Sequence, residues 1–315
     1  MEISSARSSH RKASFPHQYV SYGQTIGAEL ALPELASSEP ARDESEEVDL
    51  EVVRGTIPGI DDLNGVNGVA RATETEVLLH YDHSGGFLVR NGRRIVVGAS
   101  VDPSRRLARH LIIGVCTGIA LHQQGHLTLH ASAVGLNDGV AAFIGWKRRG
   151  KSTTASALYA SGGRLVTDDI VAIPPEETAT VLPGFPQMRL DPEAVARTLD
   201  LSPEELPRLH EDYGKRIGRA TRRFQRTPAP LRCVYLLEWG DDFDVDPLSA
   251  RDAFVHLLQH SYAQRFLGQT AATPSHFAQV EALVQAVPVV RLERPRDLDR
   301  IPDMVRLIRS HFRSL

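Results

Sequence analysis

Short apolar runs broken by turn formers set the rhythm of the first half of this chain. Between residues 51 and 100, EVLLHYDHSGGFLVRNGRRIVVG has Val, Leu and Ile runs interrupted by SGG and NG, the pattern of a small antiparallel meander. The period then changes. Apolar residues at 107, 111, 112, 115 and 119 share one helical face, which predicts a packing helix over 104–124 with Ser104 as N-cap. LTLHASAVGLNDGVAAFIG returns to strand character, two β-type runs around Asn137-Asp138-Gly139, a hairpin turn signal. A helix from 151 to 161, stopped by Gly162 and Gly163, and a strand over 164–173 complete a βαβ unit.

Beyond this unit the pattern is α/β or α+β. PQMRL is extended, DPEAVARTLD is a short helix, and LRCVYLLEW (231–239) is an apolar strand. A helix over 249–266 starts with an S-x-x-D cap at Ser249 and Asp252 and carries Phe254, Leu258, Tyr262 and Phe266 as a core stripe. A strand over 287–292 and a closing helix over 297–312 follow. Residues 1–50 open basic and Ser-rich and turn acidic (SSEPARDESEEVDLE), so they read as a disordered tail, removable as far as residue 45 without unfolding the rest. The expected organisation is therefore a tail over 1–50, a small β/α region over 51–125 and a catalytic domain over 126–315.

Composition narrows the class. The 315 residues are 42% hydrophobic and 24% charged, ordinary for a globular protein, and the net charge of −3 gives no pull toward nucleic acid or an anionic membrane. The two cysteines, Cys116 and Cys233, form no metal or disulfide pattern, so a reducing cytoplasm is expected. No apolar signal region follows the start, and the longest apolar run is too short to span a bilayer.

The chemistry concentrates in FIGWKRRGKSTTASAL. Gly145, Trp146, Lys147, Arg148, Arg149, Gly150, Lys151 and Ser152 fit G-x-x-x-x-G-K-[ST], the phosphate-binding P-loop pattern, with a strand before it and a helix after it. Glycines let backbone N–H groups turn onto phosphate oxygens, and the helix start faces the same anion. Lys151 would reach the β/γ-phosphates and Ser152 would ligate Mg²⁺, with Thr153 next to it in the loop. Read blandly, the same residues are a Gly-bounded surface turn. If Leu136 faces Val140 across the hairpin, His130 lies opposite Trp146, beside the loop; a structural histidine at a strand start is the other reading. RLVT ends at Asp168-Asp169 on the same sheet edge. One carboxylate can hold Mg²⁺ and the other can take a proton from an attacking hydroxyl, and spacing alone does not assign the two roles.

LHASAV, the loop, its helix and LVTDD together resemble the catalytic domain of HPr kinase/phosphorylase, closely over 127–175. PQMRL, GKR (214–216), PLRCVYLLE and PVVRLERPRDL extend a looser similarity to HPr-kinase-like proteins, some of which are linked to lasso-peptide maturation. The resemblance implies a P-loop kinase core similar to phosphoenolpyruvate carboxykinase, with ATP and Mg²⁺ as cofactors. It makes Asp168 the general base, Asp169 a Mg²⁺ partner with Ser152, and His130 the organiser of the pair. Arg189, Lys215 or Arg216 would approach the phosphoryl group. Two departures stand out: Arg148 occupies a position where these kinases usually have glycine, and their glycine-containing signature after the Asp pair is missing, which argues against HPr as substrate. The expected activity is phosphoryl transfer to a hydroxyl, serine in a peptide or protein, with no nucleic-acid or membrane partner and with homo-oligomerisation allowed. The alternative is a nucleotide-binding regulator or assembly factor without turnover.

Overall fold

Alternating and continuous apolar runs build three sheets, seen in a computed structural model that describes residues 15–35, 48–60, 62–63, 65–211, 213–262 and 274–315. The first sheet contains β1 (His17–Ser21), β2 (Gln24–Ala28), β3 (Leu50–Gly55), β4 (Gly68–Ala72), β5 (Glu76–Tyr81), β6 (Gly85–Arg90) and β7 (Arg94–Gly98) in the order β1-β2-β3-β7-β6-β5-β4. β4 to β7 form the expected antiparallel meander.

The expected tail over 1–50 needs correction. Residues 15–35 and 48–50 are part of this sheet and its flank, and Tyr19, Tyr22, Ile26, Leu30, Leu32, Leu35 and Leu50 are buried in the same apolar cluster. Ser-rich and acidic flanks dilute the composition of 1–50 as a whole and hide a short alternating stretch that can bury its apolar side. Residues 1–14 and 36–47 lie outside the described residues.

The predicted helix over 104–124 is α1 (Arg106–His110), a π-helical turn Leu111–Cys116 and α2 (Thr117–Gln123). Ser104 does not cap it: Arg105 is the N-cap, and the Ser104 hydroxyl donates to Asp102 Oδ1 at 2.7 Å. The π-turn brings Gly114 so near the second sheet that a Cβ there would lie 3.8 Å from Asp169 Oδ2.

The second sheet holds the site. Its path is β10-β8-β9-β15-β17-β16, from β8 (Leu127–Leu136), β9 (Gly139–Ile144), β10 (Arg164–Ile173), β15 (Ala229–Trp239), β16 (Asp244–Pro247) and β17 (Val289–Arg294), with β11 (Thr180–Val181) pairing with β15. β9, β15 and β17 are mutually parallel and buried on both faces, which explains their near-continuous apolar sequences. The βαβ unit of β9, α3 (Lys151–Ala160) and β10 is a split one, because β8 lies between its strands, antiparallel to both. Across the hairpin Leu136 pairs with Gly139, one residue out of the expected register, and Asn137 takes φ 49° in the turn.

A third sheet, β12 (Gln187–Leu190), β14 (Tyr213–Arg219) and β13 (Arg208–His210), stands beside α4 (Pro192–Leu199). α5 (Ala250–Gln259), α6 (Pro274–Ala286) and α7 (Ile301–Ser314) are the remaining described α-helices. Ser249 caps α5 by accepting from the Asp252 N–H, as the sequence predicts. The helix ends before Tyr262, however, and Phe266 lies outside the described residues. Cys116 and Cys233 are both buried and unpaired, and burial pushes the Cys233 thiol up to about 12.

Candidate active site

The strand-to-helix turn at 145–152 is shaped by backbone geometry. Gly145 has φ 149° and Gly150 has φ 77°, and a Cβ on Gly150 would meet Arg294 Nη2 at 2.6 Å. Arg148 has φ 67°, a left-handed conformation that costs a residue with a Cβ on the order of 1 kcal/mol. The position thus has the conformation for which glycine is suited, and arginine stands there with its side chain exposed. Gly150 caps α3, and the Lys151 ammonium donates to the Gly145 carbonyl at 2.7 Å.

A cavity of about 420 Å³ opens above the loop, where Lys147, Arg148, Gly150, Lys151, Ser152 and Thr153 face His130, Ser132, Asp168 and Asp169. The remaining loop residues point elsewhere. Trp146 is exposed and packs edge-on against the His260 ring at 5.1 Å, and the Arg149 carbonyl accepts from Arg294. Trp146 is therefore not the cross-strand partner of His130, whose backbone N–H goes to the His260 carbonyl at 2.7 Å.

The Asp pair does not end a strand. It lies inside β10, just after a bulge between Leu165 and Thr167, and Asp169 adopts φ 116°. A non-glycine residue there is strained by about 1–3 kcal/mol. On a regular strand adjacent side chains point to opposite faces. The irregular backbone at 169 breaks that alternation, and both carboxylates line one cavity.

Their partners differ. Asp168 is buried, with Oδ1 accepting from the Ser132 hydroxyl at 2.6 Å and Oδ2 from the Arg189 backbone N–H at 2.8 Å. Asp169 Oδ1 lies 2.5 Å from Arg189 Nη2 and 3.3 Å from His130 Nδ1. Burial alone would raise the Asp169 carboxyl. Arg189, with the contact from His130, outweighs it and holds the group well below the usual carboxylate range. Burial, with Arg189 nearby, draws His110 down to about 3, so its Nε2 is free to accept from Arg189 Nη1 at 2.6 Å. Burial also draws Lys151 down to about 8, against the opposing pull of Asp169 and Asp168.

Of the three cations expected near the phosphoryl group, Arg189 and Lys215 line the cavity. Arg216 turns toward Glu204 and the Leu206 carbonyl instead. Three contributors escaped the sequence reading. Ser132 is two residues from His130 on one strand, so the strand period alone could have put both on one face. His110 comes from the distant helix, with no local signal. Tyr22, from the β1–β2 turn, is buried with its hydroxyl 3.3 Å from Thr167 Oγ1, at the bulge that precedes the pair.

Among the described residues, no group of three or more His, Cys, Asp or Glu side chains is arranged to hold a metal ion. Ser152 and Asp169 face the same cavity and suit Mg²⁺, which takes one or two carboxylates and completes its shell with phosphate oxygens and water. Among the described residues, no helix is long and apolar enough to cross a membrane.

No family model and no curated protein matches the chain. Among solved structures, the HPr(Ser) kinase/phosphatase from Coxiella burnetii is similar over 58% of this chain and 95% of its own length, at 12% identity and a TM-score of 0.30, a distant likeness of fold only.

Proposed function

We propose that this chain is an ATP- and Mg²⁺-dependent kinase that transfers the γ-phosphate to a hydroxyl, serine in a peptide or protein. The observation that carries the reading is one cavity in which a buried carboxylate, Asp168, faces Lys151, Ser152 and the glycine-shaped start of α3. Backbone N–H groups and Lys151 would bind the donor phosphates. Asp168, oriented by Ser132 and the Arg189 N–H, would take the acceptor proton as the acceptor oxygen bonds to the γ-phosphorus, the bond to the β-phosphate oxygen breaks and ADP leaves. Ser152 and Asp169 would hold Mg²⁺, which supplies charge neutralisation at the phosphates when bound. Arg189 and Lys215 add positive charge on the same side. A flexible segment such as the end of a lasso-type precursor could bring its serine to Asp168 from the open side.

One observation favours a nucleotide-binding regulator without turnover: Arg189 already pairs with Asp169 and competes with an ion for it. Incubating the chain with γ-labelled Mg-ATP and either candidate peptides or HPr, followed by mass spectrometry, separates the readings. Labelled serine in a peptide supports the kinase. Nucleotide binding with no label on any of these acceptors supports the regulator, and efficient labelling of HPr would overturn the substrate class proposed here.

A further inference from the structure

The loop at 145–152 has a second side. A cavity of about 580 Å³ meets the first across Arg148, Gly150, Thr153 and Asp191, which line both. Its character is different. Beside the carboxylates of Asp191, Glu193 and Asp297 it presents two aromatic rings, each with a guanidinium laid over it: Arg294 is 4.4 Å from the Trp239 ring centre, and Arg300 is 4.6 Å from that of Phe243. Leu298, Ile301 and Met304 add apolar wall.

The topology gives this cavity its position. Trp239 ends β15 and Arg294 ends β17, and the two are paired in register on adjacent parallel strands. β9, the next strand of the parallel set, runs directly into the loop. Open α/β sheets bind ligands outside the carboxyl ends of their strands, and these residues lie along that edge. Arg294 adds an independent sign. It is only 5% exposed, its Nε has no hydrogen-bond partner, and among the described residues it has no acidic partner, while its Nη2 donates to the Arg149 carbonyl beneath the loop. A buried cation without a counter-charge is costly, and an anion held by the loop supplies that charge.

Resting on the nucleotide reading above, we propose that this second cavity holds the base and ribose of the nucleoside triphosphate whose phosphates the loop takes. The acceptor hydroxyl must reach Asp168, which faces the first cavity, so the second is left for the other end of the donor. Flat rings and guanidinium planes suit a flat π-system and tolerate any base. The Asp191 side chain makes no capping bond to α4 and stands where the cavities meet, placed to accept from ribose hydroxyls.

Calorimetric titration of the full chain with Mg-ATP, Mg-GTP and Mg-tripolyphosphate tests this, using the unaltered chain, Phe243→Ala and Trp239→Leu, each checked for an unchanged melting transition. In the unaltered chain both nucleotides should bind about tenfold or more tighter than tripolyphosphate, the scale of base stacking on an aromatic ring. Phe243→Ala should reduce that advantage several-fold and leave tripolyphosphate affinity in place; Trp239→Leu, where it folds, should do so further. Equal affinity for ATP and tripolyphosphate, or an advantage that survives both substitutions, overturns the proposal while leaving the phosphate site standing. Failure of all three ligands to bind overturns the nucleotide reading itself, and this inference with it.

Discussion

Two regions meet at the Asp168-Asp169 pair and contribute in opposite ways. The strip from β8 to β10, residues 127–173, brings most of the hydroxyl and carboxylate chemistry: His130, Ser132, Lys151, Ser152 and both aspartates, with Arg189, Asp191 and Lys215 added from further along the chain. Its parts are neighbours along the chain and come together through one hairpin and one short helix. The β1–β2 hairpin, residues 17–28, contributes no group to the cavity. It touches Thr167 of β10 and the segment 183–184 instead. The Tyr22 hydroxyl meets Thr167, the Tyr22 N–H donates to the Pro183 carbonyl at 2.8 Å, and the Ser21 hydroxyl donates to the Gly184 carbonyl at 3.0 Å. The fit is close: a Cβ on Gly184 would meet Thr167 Oγ1 at 2.6 Å and Tyr22 Oη at 2.8 Å. The comparison teaches that the reacting groups are local in sequence, whereas the unusual backbone that lets two adjacent aspartates share one cavity is buttressed from more than a hundred residues away.

The largest expected effect tests the supporting region. Deleting residues 1–35 should abolish cooperative folding, because the deletion removes six large buried apolar side chains worth about 1.5–3 kcal/mol each against a total stability of about 5–15 kcal/mol. Thermal unfolding followed by circular dichroism is the check. A truncated chain that melts as the full one does would return the segment to the status of a tail.

Next comes the reacting strip. Asp168→Asn should leave Mg-ATP affinity nearly intact and lower phosphoryl transfer by about 100-fold or more, the range for a positioned base. Wild-type turnover in a folded variant would remove Asp168 from the role of base.

pH sharpens the same half of the comparison. Lys151 is lowered to about 8, so its ammonium is present below that pH and is lost as pH rises through it. Affinity for Mg-ATP should be level near neutrality and weaken above pH 8, approaching tenfold per pH unit, as one required proton demands. In Lys151→Arg the inflection should disappear, since arginine keeps its charge. An inflection that persists in that variant would assign it to another group.

The smallest expected effect lies in the loop between the regions. Arg148→Gly relieves a left-handed residue and should change stability by no more than about 1 kcal/mol, upward, because the gain is partly offset by the added freedom of glycine in the unfolded chain. Denaturant titration measures it, and a clear loss of stability would show that the arginine side chain holds the loop.

The parts of this protein that could be read directly from sequence are those set by short-range rules. Glycines at 145 and 150 between an apolar run and a helical one define a strand-to-helix turn, and the turn residues at 137–139 fold the preceding strand back beside it. Period and turn chemistry act over a few residues, so they survive in any local window. What required the tertiary structure depends on contacts between distant segments. The packing of Tyr22 against Thr167 is one such contact, and the His110–Arg189–Asp169 chain is another. The pairing of Trp239 with Arg294 across β15 and β17 is a third. A one-residue difference in hairpin register, a bulge at 165–167 and a positive φ at Asp169 decide which side chains share a cavity. Each is a small displacement with no local signature, held because the neighbours packed around it leave the chain no better arrangement.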